Sequence, residues 1–224
     1  MRTFHTFLGL LVAVSLSSCT RAPVAPAQVV SFSPILNRDP DTPETWYRGR
    51  MDFYSLSDPL LQEAYGPEAP TIDSILGDGR REILCKPDAI RIYSVRHRMP
   101  EDYEMLERLT LLGFSIAIGN GVPLDKDTVR PLVLAMQQLE NYGDNFLGVT
   151  SADFGLKFTK GTNTLDLIFE LVVPSITLAS RTYQHDDRRA LSPTLMAEAC
   201  KLAEAYLFED QYLQRKIEIF RSNK

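Results

Sequence analysis

Histidine is scarce in this chain, with three in 224 residues, at positions 5, 97 and 185. That scarcity leaves little material for the side chain most used as a general base and as a metal ligand. Cysteine also numbers three and tryptophan one, so a disulfide-stapled mini-domain is excluded. No apolar run approaches the roughly 20 residues that a membrane-spanning helix needs. No G-x-S-x-G sequence occurs, and Ser74, Ser94 and Ser115 stand in no local nucleophile signature. "GNG" at 119–121 lacks the spacing of a phosphate loop and reads as a turn or bulge. Cofactor motifs are missing, and no cofactor is expected. Nor is there an excess of positive charge: the net charge is −5, which argues against nucleic acid and anionic lipid headgroups as partners. No internal repeat of 20 to 50 residues recurs, so solenoids and propellers are not expected.

What is present begins at the amino terminus. Arg2 is followed by an apolar stretch over 7–14 and then by small residues, the layout of an export signal. Leu16, Ser17, Ser18 and Cys19 resemble the lipobox of bacterial lipoproteins. The resemblance implies cleavage before Cys19, thioether attachment of diacylglycerol to its sulfur, and acylation of the new amine, commonly with palmitate. Two or three chains anchor stably where one binds only marginally, because each buried methylene contributes roughly 0.8 kcal/mol. Thr20 stands where inner-membrane lipoproteins often carry Asp, so the resemblance favours an outer membrane, facing the periplasm, in an organism with two membranes. Removing residues 1–18 takes away one arginine, and the net charge becomes about −6.

Residues 19–45 read as the lipidated cysteine and a proline-rich tether. "TRAPVAPAQ" at 20–28 would extend roughly 28 Å at about 3.1 Å per residue. Residues 46–224 are expected to form one domain, opening with an irregular arm over 46–84. Within that arm, Asp58 and Pro59 signal a helix start, Gly66 its stop, and "GDGRR" from Gly77 a turn.

The pattern sharpens beyond Cys85. A strand is expected at 89–96 and a helix at 100–112, with Pro100 at its first position and Gly113 after it. "FSIAI" at 114–118 reads as a short strand. The next helix would place Leu132, Ala135, Met136 and Leu139 on one face and end at Gly143. Over 153–180, Phe154, Leu156 and Phe158 alternate with Gly155 and Lys157, and Leu165, Leu167, Phe169 and Leu171 alternate with Asp166, Ile168 and Glu170. Period two with polar partners predicts a half-buried antiparallel sheet, continued by a third strand at Ile176 and Leu178. A last helix opens at Ser192 and Pro193, buries Leu195, Ala199, Leu202 and Tyr206, and breaks near Glu209 before Leu213, Ile217 and Phe220. The fold class expected is α+β: a mainly antiparallel sheet with a three-stranded meander, and helices covering one face.

"KPDAIRIY", "GVPL" before a helix, "FGLKFTKGTNTLDLIFEL" and "FED" after the last helix resemble a group of uncharacterised bacterial secreted proteins and lipoproteins. That resemblance spans 87–209 and implies a shared fold without an activity. Members often carry cysteines near the end of the meander, where this chain has Phe169, Glu170 and Leu171.

The candidate chemistry is sparse. His185, Asp186 and Asp187 in "HDDRR" are the residue types that ligate a divalent metal or serve a hydrolase. Adjacent positions point in different directions, however, and a solvated loop with an aspartate paired to Arg188 or Arg189 suits the segment better. Asp166 and Glu170 would share one face of a strand, mimicking a glycosidase pair, although solvated face charges are commoner. Trp46, Tyr47 and Arg48 suit gripping a sugar or peptide, or pinning the arm to the domain. The cluster around His97 has the charges to bind an anion, although an exposed strand-to-helix connection suits it better. Cys85 and Cys200 could bridge in an oxidising compartment, yet Cys200 lies on the apolar side of its helix, where a thiol acts as a small hydrophobe. The reading is a lipid-anchored envelope protein with a non-catalytic binding or structural role. Its expected partners are the membrane and an envelope protein or glycan. A small hydrolase near His185 and an envelope inhibitor or assembly factor are the alternatives.

Overall fold

The computed structural model describes residues 53–97, 111–112, 115–145, 152–180 and 187–222. Cys19, Trp46, Tyr47, Arg48, His185, Asp186 and most of the expected helix at 100–112 lie outside them. The described elements are α1 (Pro59–Tyr65), α2 (Ile72–Cys85), β1 (Ala89–His97), β2 (Leu111–Leu112), β3 (Ser115–Ala117), β4 (Val122–Leu124) and α3 (Lys126–Ala135), followed by β5 (Tyr142–Asn145), β6 (Phe154–Lys160), β7 (Asn163–Glu170), β8 (Ser175–Ala179), β9 (Asp187–Leu191), α4 (Pro193–Tyr206) and α5 (Gln211–Ser222). The sheet runs β2-β3-β1-β6-β7-β8-β9-β5, with β4 also on β1, and its strand pairs are antiparallel. The α+β class expected from the sequence is the class observed.

The meander is built as its alternation demands. β6 and β7 meet in register from Phe154 opposite Phe169 to Lys160 opposite Asn163. A two-residue loop joins them, opened by Gly161 at φ +56°, a conformation that costs glycine little, and the Asp88 carboxylate accepts the Gly161 N–H at 2.7 Å. Rows of apolar side chains then cross the strands: Ile92, Leu156, Leu167 and Leu178 in one, and Phe154, Phe169 and Ile176 in the next. The Phe154 and Phe169 rings stack with centroids 5.0 Å apart. This face joins a single core with residues of α2, α3, α4 and α5, among them Ile75, Leu132, Ala199 and Ile217.

The caps read from the sequence are in place. Asp58 accepts the Leu60 N–H at 2.8 Å to start α1, and Ser192 accepts the Leu195 N–H at 3.1 Å to start α4. The break near Glu209 is a turn in which Asp210 caps α5.

Several expectations are corrected. The arm over 46–84 contains α2, whose Ile75, Leu76, Ile83 and Leu84 are core residues; Gly77 only kinks it, at φ 61° and ψ 163°. Leu111 and Leu112 are strand, where the expected helix at 100–112 would have ended. α3 closes at Ala135 with Pro131 inside it, and Gly143 belongs to β5. Gly143 is no helix stop: a Cβ there would meet the Ala190 Cβ at 2.9 Å and the Tyr54 carbonyl at 3.1 Å, so the position is bare because strand and arm close over it. The "GNG" segment is a bulge. β3 and β4 run collinearly against β1, and the pairing slips by two residues between Val95 opposite Ala117 and Ile92 opposite Val122.

The middle of the sheet is buried on both faces, where the alternation predicts one solvated side. Tyr93, Val95, Leu112, Ala117, Ala152, Ile168 and Ala179 form a second apolar cluster on the face away from the helices. Gly155 permits it: a Cβ there would lie 2.6 Å from Leu112 Cδ2 and 3.0 Å from the Leu167 carbonyl. We therefore expect Gly155→Val to destabilise the domain by about 1–3 kcal/mol through overpacking. Chemical denaturation checks this, and Leu112→Ala in the same background should recover part of the loss.

Candidate functional site

The charged residues of the meander converge on that second face. Alternation along β7 puts Asp166, Ile168 and Glu170 there together, as expected, but Asp166 and Glu170 are 5% and 6% exposed. Each carboxylate meets a cation from another strand. Lys157 Nζ on β6 lies 3.0 Å from Asp166 Oδ1, directly across the ladder. Arg188 Nη2 on β9 reaches Glu170 Oε2 at 2.5 Å and lies 3.4 Å from Ser175 Oγ on β8. A cross-link thus passes over β8 from β7 to β9. Burial pulls the Arg188 guanidinium below its ordinary range, and the Glu170 charge offsets part of that pull. Tyr93 sits on the same face, its phenol raised first by burial and further by the Asp166 charge, against an opposing pull from Arg91.

The glycosidase reading of Asp166 and Glu170 does not fit this geometry. Residues four apart in a strand are separated by roughly 13 Å, beyond the ~5–9.5 Å that such carboxylate pairs use. Both carboxylates are also held by cations across the sheet. The arrangement suits cross-linking of strands.

"HDDRR" is corrected as well. Asp187 to Leu191 form β9 where a solvated loop is expected. Successive residues therefore face opposite sides: Asp187 and Arg189 take the core side at the sheet margin, and Arg188 takes the second face. Arg189 Nε donates to Asp187 Oδ1 at 2.9 Å, which is the aspartate–arginine pairing expected for the segment. Close by, Tyr142 is fully buried, donates to the Met136 carbonyl at 2.8 Å, and is held above the ordinary phenol range by burial and then by the Asp187 charge. Tyr65 is raised first by its hydrogen bond to Asp144.

Cys85 and Cys200 are separate thiols, so the possible bridge is absent: Cys85 is exposed at the end of α2, whereas Cys200 packs in the core from α4. His97 closes β1 opposite Ser115. Among the described residues, no three His, Cys, Asp or Glu side chains cluster as metal ligands would. No helix among them is long and apolar enough to cross a membrane.

Two buried pairs escaped the sequence reading. Glu170 and Arg188 stand 18 residues apart, and Asp153 Oδ1 meets Lys216 Nζ of α5 at 2.5 Å across 63 residues. Neither pair has a local signal; both follow only once the strand order and the docking of α5 are known.

No protein-family model, curated protein or solved structure matches this chain.

Removing one partner of a buried ion pair leaves the other charge uncompensated, at a cost of about 3–5 kcal/mol. Because the Arg188 and Glu170 side chains retain 12% and 8% exposure, we expect Glu170→Leu to cost toward the lower end of that range. The double change Glu170→Leu with Arg188→Met should recover most of the loss. Urea denaturation of the single and double variants reads this directly.

Proposed function

We propose that this chain is a lipid-anchored protein of the bacterial cell envelope, tethered through Cys19, with a non-catalytic binding or structural role. The observation that carries the reading is Cys19 placed after Leu16, Ser17 and Ser18 and behind an apolar stretch too short to span a bilayer. The tether over 19–45 then separates the domain from the membrane surface. In an organism with two membranes, Thr20 favours the periplasmic face of the outer one.

The non-catalytic half of the reading draws on the charged groups of the sheet. Lys157 is engaged by Asp166, Arg188 by Glu170, and Arg189 by Asp187, so these largely buried groups serve cohesion. A hydrolase built on His185 with Asp186 or Asp187 gains no support from Asp187, whose carboxylate is tied to the guanidinium two residues on.

Detergent-phase partitioning tests the anchor. The intact chain expressed in a bacterium should enter the detergent phase, and Cys19→Ala should move to the aqueous phase. Equal aqueous partitioning of both would overturn the anchor.

A further inference from the structure

Helix α1 (Pro59–Tyr65) buries none of its seven residues. So short a helix is not stable alone in water. It is held from one side: Asp58 caps it, Gln62 Nε2 donates to the Leu56 carbonyl at 2.6 Å, and Tyr65 packs on the core while bonding Asp144. The other side points outward. Leu60 is 75% exposed, Ala64 one turn on is exposed, and Tyr54 just ahead of the helix is 64% exposed. A fixed helix with an uncovered apolar side is unusual, because most helices owe their stability to burying that side.

The described stretches that build this surface carry charge of one sign. No lysine, arginine or histidine occurs from 53 to 79 or from 131 to 156. The fold lays these two stretches against each other: Leu56 N–H donates to the Tyr142 carbonyl at 2.7 Å, and Ser55 Oγ donates to the Glu140 carbonyl at 3.0 Å. Glu63 within α1, Glu68 just after it, and Glu140, whose carbonyl accepts from Ser55, are all exposed. Arg189, whose charge reaches Tyr65, is 9% exposed and engaged by Asp187, so it does not offset them at the surface.

An apolar centre with an acidic rim calls for the complementary surface. We propose that α1 and residues 53–57 form a docking surface for a basic amphipathic segment of another protein. Its apolar side chains cover Tyr54 and Leu60, and its lysines or arginines face Glu63, Glu68 and Glu140. Anionic lipid is the wrong occupant, since the rim repels it. The inference rests on the binding half of the function proposed above. Detergent partitioning reports on the anchor and peptide binding reports on this surface, so the two can fail separately.

The test is binding of a synthetic amphipathic lysine/leucine peptide to the full chain, read by calorimetry at moderate salt. Leu60→Ser and Glu63→Lys should each weaken binding by about tenfold. Glu209→Lys, an equal charge change at an exposed site after α4, should leave it unchanged. Because Leu60 and Glu63 are not buried, unchanged circular dichroism should accompany the loss. The proposal is overturned by no binding, by equal weakening in Glu209→Lys, or by preference for anionic phosphatidylglycerol vesicles over the peptide. It is also overturned if binding emerges only in Arg48→Ala with Arg50→Ala, which would make the chain's own segment the occupant.

Discussion

Asp153 is the point on which the described domain closes. It immediately precedes β6, and one carboxylate oxygen accepts the Leu171 N–H at 2.8 Å, tying the start of β6 to the end of β7. The other oxygen holds Lys216 of α5, and the two side chains are 2% and 7% exposed. A charge so deeply buried is tolerated only when paired and hydrogen-bonded, so it dictates where α5 sits. Once Lys216 is placed, the helix repeat carries Leu213, Ile217 and Phe220 into the core. The pair is therefore more an instruction about position than a source of net stability. Two apolar side chains of similar size could fill the same space, but they would not specify the same register.

The same principle runs through the sheet. Covering both faces removes the solvent that would otherwise screen polar residues at alternate positions, and each must find a partner across a strand. Lys157 finds Asp166, and Arg188 finds Glu170 and Ser175. At the margin, Ser192 Oγ donates to Asn141 Oδ1 at 2.6 Å while its N–H donates to the Asn141 carbonyl, locking the start of α4 to the segment before β5. These side chains are the types that form active sites, used here as fasteners.

Local signals in the sequence were reliable where a short stretch decides the outcome. The alternation over 153–180, the caps at Asp58 and Ser192, and the break at Glu209 needed no knowledge of distant residues, and all are present. What was illegible depends on sequence-remote contacts. "DRRAL" at 187–191 has none of the β-branched residues that mark a strand, and it becomes β9 because β8 and β5 flank it. Gly143 imitates a helix stop and lies in a strand. Leu112 passes over Gly155 on the face that holds Asp166 and Glu170, a contact that no pattern of period two reveals. Of the candidate site residues, Asp187 with its arginine partner, Asp166 and Glu170 on their strand face, His97 at the end of β1, and the two cysteines fall within the described residues.

The central claim is that a buried ion pair sets the closure of this domain, and a double-mutant cycle at Asp153 and Lys216 tests it most directly. Asp153→Asn and Lys216→Met should each cost about 3–5 kcal/mol in chemical denaturation, each leaving one charge buried without its counterpart. The double variant should cost far less than the two added together, a coupling of roughly 1.5–3 kcal/mol or more. Small and additive single effects, with no coupling beyond about 0.5 kcal/mol, would contradict the account.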